Sequence, residues 1–297
     1  MTRSTARKIL AGVAFAAVVA GGAGIAAAGG GGDSGEGPDT PITGDALQKA
    51  GEAALAATGG GRVTGTEVGD EESYYEVEVT RDDGSQVDVQ LDPADFSVDI
   101  TNTYWPMQPG DHWISSETDG KGDVLRVEVT VQDATYTGAA GIEARVVHDL
   151  VTRAGAVVED TLDWYAQDAD GNIWYLGEKT AEYENGQVVS TEGSWEAGVD
   201  GAQPGIAVPA DPEPGLTYRQ EYLKGQAEDE GTVLSTDEQV GVPTGIYTGA
   251  LLTRDTTPLE PDLVELKFYA PGIGPVLTLE SSGGAGREEL VETNRTG

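Results

Sequence analysis

The 297 residues include no cysteine. That excludes disulfides, a thiolate nucleophile, cysteine-ligated zinc or iron–sulfur sites, and lipidation at a lipobox cysteine. The core alone must hold the fold. Histidine is nearly absent: His112 and His148 are the only two, and no His-Glu-x-x-His occurs, which argues against a zinc peptidase. His148-Asp149 lacks a Gly-x-Ser-x-Gly elbow, so a catalytic triad has no support. Neither a phosphate loop nor a dinucleotide fingerprint is present. Positive charge is scarce, with 17 Lys and Arg against 52 Asp and Glu and a formal net charge of −35. Nucleic acid needs a basic footprint and is not an expected partner. Such acidity either keeps the chain soluble outside the cell or attracts cations and basic partners.

What is present begins with charge order. Arg3, Arg7 and Lys8 form a positive n-region, and residues 9–28 are all apolar or Gly. With Ala26, Ala27 and Ala28 as a small-residue cleavage site, residues 1–28 are expected to be a secretory signal peptide. The expected location is secreted or cell-surface, with no stable membrane span after cleavage. The alternative is an uncleaved N-terminal anchor, since ~20 apolar residues can span a bilayer. The Ala and Gly content of this stretch makes it a weak one. Residues 29–40 are Gly, Asp, Ser and Pro with little to bury and are expected to be a flexible linker.

A small domain is expected over residues 41–100. Leu47, Ala50, Ala54 and Leu55 recur at helical spacing between a capping Thr43 and the stop Gly59-Gly60-Gly61. The period then becomes two. Tyr75-Glu76-Val77-Glu78-Val79 alternates as a half-buried strand, Asp83-Gly84 suits a hairpin turn, and Val87 to Asp92 returns. Residues 41–92, through this helix, Arg62-Val63, Glu67, the Tyr-Tyr-Glu-Val-Glu-Val strand and Asp83-Gly84, resemble a PepSY domain. Such domains occur in propeptides of secreted metallopeptidases and in other exported proteins, so the resemblance implies an inhibitory or regulatory role and supplies no catalytic residue.

Residues 104–293 carry an apparent internal duplication, with copies at about 104–200 and 209–292. Pro109-Gly110 precedes Trp113 as Pro214-Gly215 precedes Tyr218. Tyr165-Ala166 and Tyr269-Ala270 end matching stretches, and Ala144-Arg145-Val146-Val147 corresponds to Ala250-Leu251-Leu252-Thr253. Within each copy, period-two runs are separated by Gly and Asp clusters. The expected fold is thus a small α+β PepSY-like domain followed by a mainly antiparallel β domain, whose duplicated halves close as one barrel or sandwich so that neither leaves open edges. This region also resembles an uncharacterised group of exported bacterial proteins, through Trp164-Tyr165-Ala166-Gln167-Asp168, residues 193–198 and Tyr269-Ala270-Pro271-Gly272. No activity comes with that resemblance.

Two candidate sites stand out. Asp168, Asp170 and Asn172 resemble the start of an oxygen-rich calcium loop. The spacing fails the full EF-hand pattern, and Asp-Gly between strands is equally what a hairpin turn requires. Trp164, Tyr165, Trp174, Tyr175 and Trp195 concentrate aromatic rings that could stack a ligand or build the core. Neighbours on a strand point to opposite faces, so each Trp-Tyr pair should place one ring on each side. Among 52 acids no single pair is informative, and no catalytic residue is assigned. The expected role is non-enzymatic binding or regulation outside the cytoplasm, with a protein, peptide or apolar ligand and no obligatory cofactor. A carboxylate-based hydrolase of extracellular polymer and a structural envelope protein are the alternatives.

Overall fold

The computed structural model describes residues 93–297, apart from 119–123, 139, 201, 283–285 and 297, together with four strand segments nearer the N-terminus. The chain divides into two units, one spanning Phe15–Asp95 and the other containing Phe96–Gly297. In the smaller unit β1 (Ala17–Val18), β2 (Arg62–Val68), β3 (Tyr75–Thr80) and β4 (Gln86–Leu91) form an antiparallel sheet ordered β1-β4-β3-β2. Tyr75 lies opposite Leu91 and Val79 opposite Val87. Both strands expected from period-two alternation are therefore present and paired. The expected helix, the Asp83-Gly84 turn, the linker and most of the export segment lie outside the described residues.

The larger unit is almost wholly β. Its strands are β5 (Phe96–Ser97), β6 (His112–Thr118), β7 (Val124–Thr137), β8 (Glu143–Arg153), β9 (Ala156–Asp168), β10 (Ile173–Glu184), β11 (Gln187–Ser190), β12 (Trp195–Glu196), β13 (Gly205–Val208), β14 (Thr217–Arg219), β15 (Glu230–Val242), β16 (Gly245–Thr256), β17 (Val264–Ala270), β18 (Gly274–Ser282) and β19 (Arg287–Thr293). They form one antiparallel sheet ordered β11-β10-β9-β8-β7-β6-β19-β18-β17-β16-β15-β14, with β12 and β13 added to the far edge of β10 and β5 to β9. Short turns set the registers. Ala154 and Gly155 between β8 and β9, and Asn185 and Gly186 between β10 and β11, all have positive φ, the conformation of a two-residue hairpin loop. No helix among the described residues is long and apolar enough to cross a membrane.

The sheet curls. Trp105, in the loop before β6, packs its ring against Tyr165 of β9 at 5.3 Å and Tyr269 of β17 at 6.3 Å, although those strands are far apart in the sheet order. The inner face carries Val127, Val147, Tyr165, Tyr175, Val233, Leu251, Tyr269 and Leu290, all buried. On the opposite face of β8, β9 and β10, a second apolar layer of Ala144, Val146, Trp164, Ala166 and Leu176 is covered by Phe96, Tyr136 and Ala140. Those strands are consequently buried on both sides.

Closure into a barrel, one of the two expected arrangements, is not found. Among the described residues, backbone pairing between the β10 end and the β14 end is an isolated bridge between Gln203 and Tyr222, where the Gln203 amide donates to the Tyr222 carbonyl at 2.8 Å. The linking segment holds Pro204, Pro209, Pro212 and Pro214, and a residue without an N–H cannot extend a ladder. The two ends form a seam at this bridge.

Candidate functional site

The aromatic candidates divide between faces as strand alternation requires. Tyr165 and Tyr175 point inward and stack at 4.9 Å. Trp164 points outward and stacks on Tyr136 at 4.3 Å, and Trp174 meets Phe96 edge-on at 5.3 Å. Trp195 lies edge-on to Tyr175 at 5.3 Å. All five rings are buried. Beside Trp164 the outer layer leaves an apolar niche of about 10 Å³ lined by Tyr136, Ile142 and Leu176, room for about one water.

Asp168, Asp170 and Asn172 occupy the β9–β10 turn. Asp168 Oδ1 accepts the Asn172 amide at 2.8 Å, while Oδ2 accepts Asn172 Nδ2 at 2.7 Å and the Trp174 indole at 2.6 Å. Asn172 Oδ1 in turn accepts the Ala210 amide at 2.8 Å. These oxygens pin the turn to the Pro-rich linker. Among the described residues no group of three or more His, Asp or Glu side chains converges in a way that could hold a metal ion.

The inner face presents an unforeseen constellation. Asp163 on β9 lies directly opposite Glu178 on β10. Strict alternation would put Glu178 on the outer face with Trp174 and Leu176. A bulge between Tyr175 and Gly177 shifts the phase and turns Glu178 inward. Gly177 has φ 132° and lies so close to the Trp195 carbonyl that a Cβ there would approach it to 2.4 Å. Only glycine fits that crossing.

Like charges facing each other across a pair of strands are destabilising. The arrangement is reconciled by Tyr175, whose Oη lies 2.8 Å from Asp163 Oδ1 and 2.9 Å from Glu178 Oε2. A phenol has one proton to donate. The second contact needs a proton on a carboxyl group, so either Asp163 or Glu178 is protonated. Burial, partly offset by the bond from Tyr175 and reinforced by Glu159, pushes Asp163 up to about 7. Burial and then Asp163 push Glu178 well above the usual carboxylate range. Burial also holds Tyr165 and Tyr175 as neutral phenols.

The set continues across the seam. Glu221, beside the bridging Tyr222, and Asp229 are both buried there. Burial, then Asp229 and then Glu178 raise Glu221 well above its ordinary value. Asp163, Glu221 and Asp229 are buried, and Glu178 is half-buried. In the β14–β17 half the inner face holds a cation instead: Lys267 Nζ lies 3.1 Å from Asp255 Oδ2 and 3.7 Å from Glu265 Oε2. Burial alone would depress the Lys267 ammonium, but Asp255 and Glu265 outweigh it and keep it charged.

Comparison with known proteins adds little. No protein family matches the chain, the PepSY family included, and no curated protein matches it. A crystal structure of a putative lipoprotein from Parabacteroides distasonis ATCC 8503 is similar over 65% of this chain and 99% of that one, at 12% identity and a TM-score of 0.36. At that level nothing about function transfers.

Proposed function

We propose that this is an exported, non-enzymatic binding or regulatory protein whose partner is a basic peptide segment or protein. The observation that carries the reading is the unequal engagement of its charges. Arg126 pairs with Glu128, Arg287 with Glu289, Arg295 with Asp111 and Lys267 with Asp255. Arg145 is turned to the carbonyls of Val98, Gln132 and Asp133, and Arg219 lies 4.6 Å over the ring of Tyr222. With 52 Asp and Glu against 17 Lys and Arg, the acidic surplus attracts cationic partners and speeds their encounter. Export rests on the N-terminal charge order, and the PepSY-like stretch is read as a regulatory module. The strand sets β6–β10 and β14–β18 are read as two copies of one unit. The test is capture from culture medium with the mature protein, followed by reconstitution with the purified captured species. The reading expects a defined complex through a basic segment, weakened by salt; capture no better than on a charge-matched control would end it.

A carboxylate-based hydrolase is the second reading, favoured by one protonated and one ionised carboxyl group at Asp163 and Glu178. Aromatic cover over the pair weighs against it. Hydrolysis of cell-wall polymer that disappears in both Asp163→Asn and Glu178→Gln would reverse the order of the two readings.

A further inference from the structure

We propose that Tyr218, Gln220, Thr253 and Asp255 form an internal hydration site on the inner face of β14–β17, in which ordered water completes the shell of the buried Lys267–Asp255 ion pair. The site is independent of the partner reading, since its ligand is solvent.

Unmet hydrogen bonding is the first argument. Tyr218 Oη, Gln220 Oε1, Thr253 Oγ1 and Asp255 Oδ1 are buried and have no hydrogen-bond partner among the described residues. None of the four residues is more than 3% exposed. A buried polar atom left alone carries the full cost of its lost hydration, and four together would remove much of a domain's stability margin. Folded proteins meet such groups with ordered water.

Convergence is the second argument. Tyr218 lies opposite Gly231, and Gly231 opposite Asp255, so the three stand in one row across β14, β15 and β16. Glycine in the middle of the row lets the phenol lie over β15, since a Cβ there would come within 2.8 Å of Tyr218 Oη. The hydroxyl is thereby carried toward Asp255, and both Asp255 and Gln220 bear on it. Gln220 Nε2 donates to Asp255 Oδ2 at 3.1 Å. A carboxylate accepts and does not donate, so that bond fixes the amide and leaves Oε1 as the open acceptor. Thr253, two residues before Asp255 on the same face, lies opposite Lys267, whose Nζ is 3.1 Å from the same Asp255 Oδ2.

The chemistry of the four atoms selects the ligand. Asp255 Oδ1 and Gln220 Oε1 can only accept, whereas the Thr253 and Tyr218 hydroxyls can donate. Water donates two hydrogen bonds and accepts two, which matches this set. A cation would meet the Lys267 ammonium at the other carboxylate oxygen, and an anion would meet Asp255 itself. The ion pair gains too, because burying one is favourable when further hydrogen bonds satisfy its remaining lone pairs.

Urea unfolding of the full chain with two near-isosteric substitutions tests the site by the sign of the effect. Thr253→Val and Tyr218→Phe each remove one hydroxyl. Where water meets that hydroxyl, the variant loses a hydrogen bond and its folding equilibrium constant should fall about fivefold. A hydroxyl buried dry and unpaired is better absent, so an unchanged or higher constant in either variant overturns the site. A crystal structure that shows ordered solvent reads the ligand directly, with water expected within hydrogen-bond distance of Asp255 Oδ1 and Thr253 Oγ1. Direct bonds among the four side chains, or an ion in their midst, would equally overturn it.

Discussion

Tyr175 is the side chain through which two opposed acids tolerate each other. Tyr175→Phe removes both bonds while leaving Asp163 and Glu178 buried, and should destabilise the protein by about 2 kcal/mol or more, measured by urea unfolding. The phenol's bond favours the ionised form of Asp163, so its loss should also move that group's titration above 7. Asp163→Asn tests the sign of the linkage. A carboxyl group whose folded value is raised adds stability that is fully present below its ordinary value near 3.8 and is lost as pH climbs through about 7. The variant should therefore lose part of the pH dependence and gain on the parent protein by on the order of a few kcal/mol between pH 5 and 8. At this scale the sequence was partly legible. Alternation correctly separated Trp164 from Tyr165 and Trp174 from Tyr175, because a strand's period holds without knowledge of its neighbours. Asp163 and Glu178 were not legible as a pair, since a chain with 52 acids offers no way to rank pairs until strands are placed in register.

The bulge at Gly177 decides which face Glu178 joins. Gly177→Ala forces a Cβ onto the Trp195 carbonyl and a strained φ, so it should cost about 2 kcal/mol or more in unfolding experiments. Relaxation by loss of the bulge would turn Glu178 outward and should bring its titration, followed by carboxyl carbon NMR, down toward the ordinary range. The strands from β7 to β10 and β15 to β18 were readable because β-branched and aromatic residues alternate between clear turn residues. β6 and β19 were not. Their long-range pairing places Leu290 opposite Ser115, and β19 offers Leu290 as its only buried residue within Arg-Glu-Glu-Leu-Val-Glu-Thr. The linker after β13 was equally opaque: its prolines forbid a continuous ladder, yet their effect on closure appears only once the two sheet ends are seen to meet.

Over the whole molecule, repulsion among excess acids and the buried carboxyl set act in one direction. Both favour the folded state at mildly acidic pH, so the thermal midpoint should fall as pH rises from 5 to 8. Added salt should recover the surface part alone, because screening is weak inside the protein. Raising ionic strength from about 0.01 M to about 0.1 M shortens the screening length from ~30 Å to ~10 Å and should raise the midpoint at pH 8. The remaining slope with pH belongs to the interior. Carboxyl carbon NMR of the full chain, labelled at Asp and Glu and titrated from pH 3 to 9, is the most direct measurement of that interior. Asp163 should titrate near 7, with Glu178 and Glu221 also displaced upward. Titration of all three in the ordinary range near 4 would contradict the stored protons.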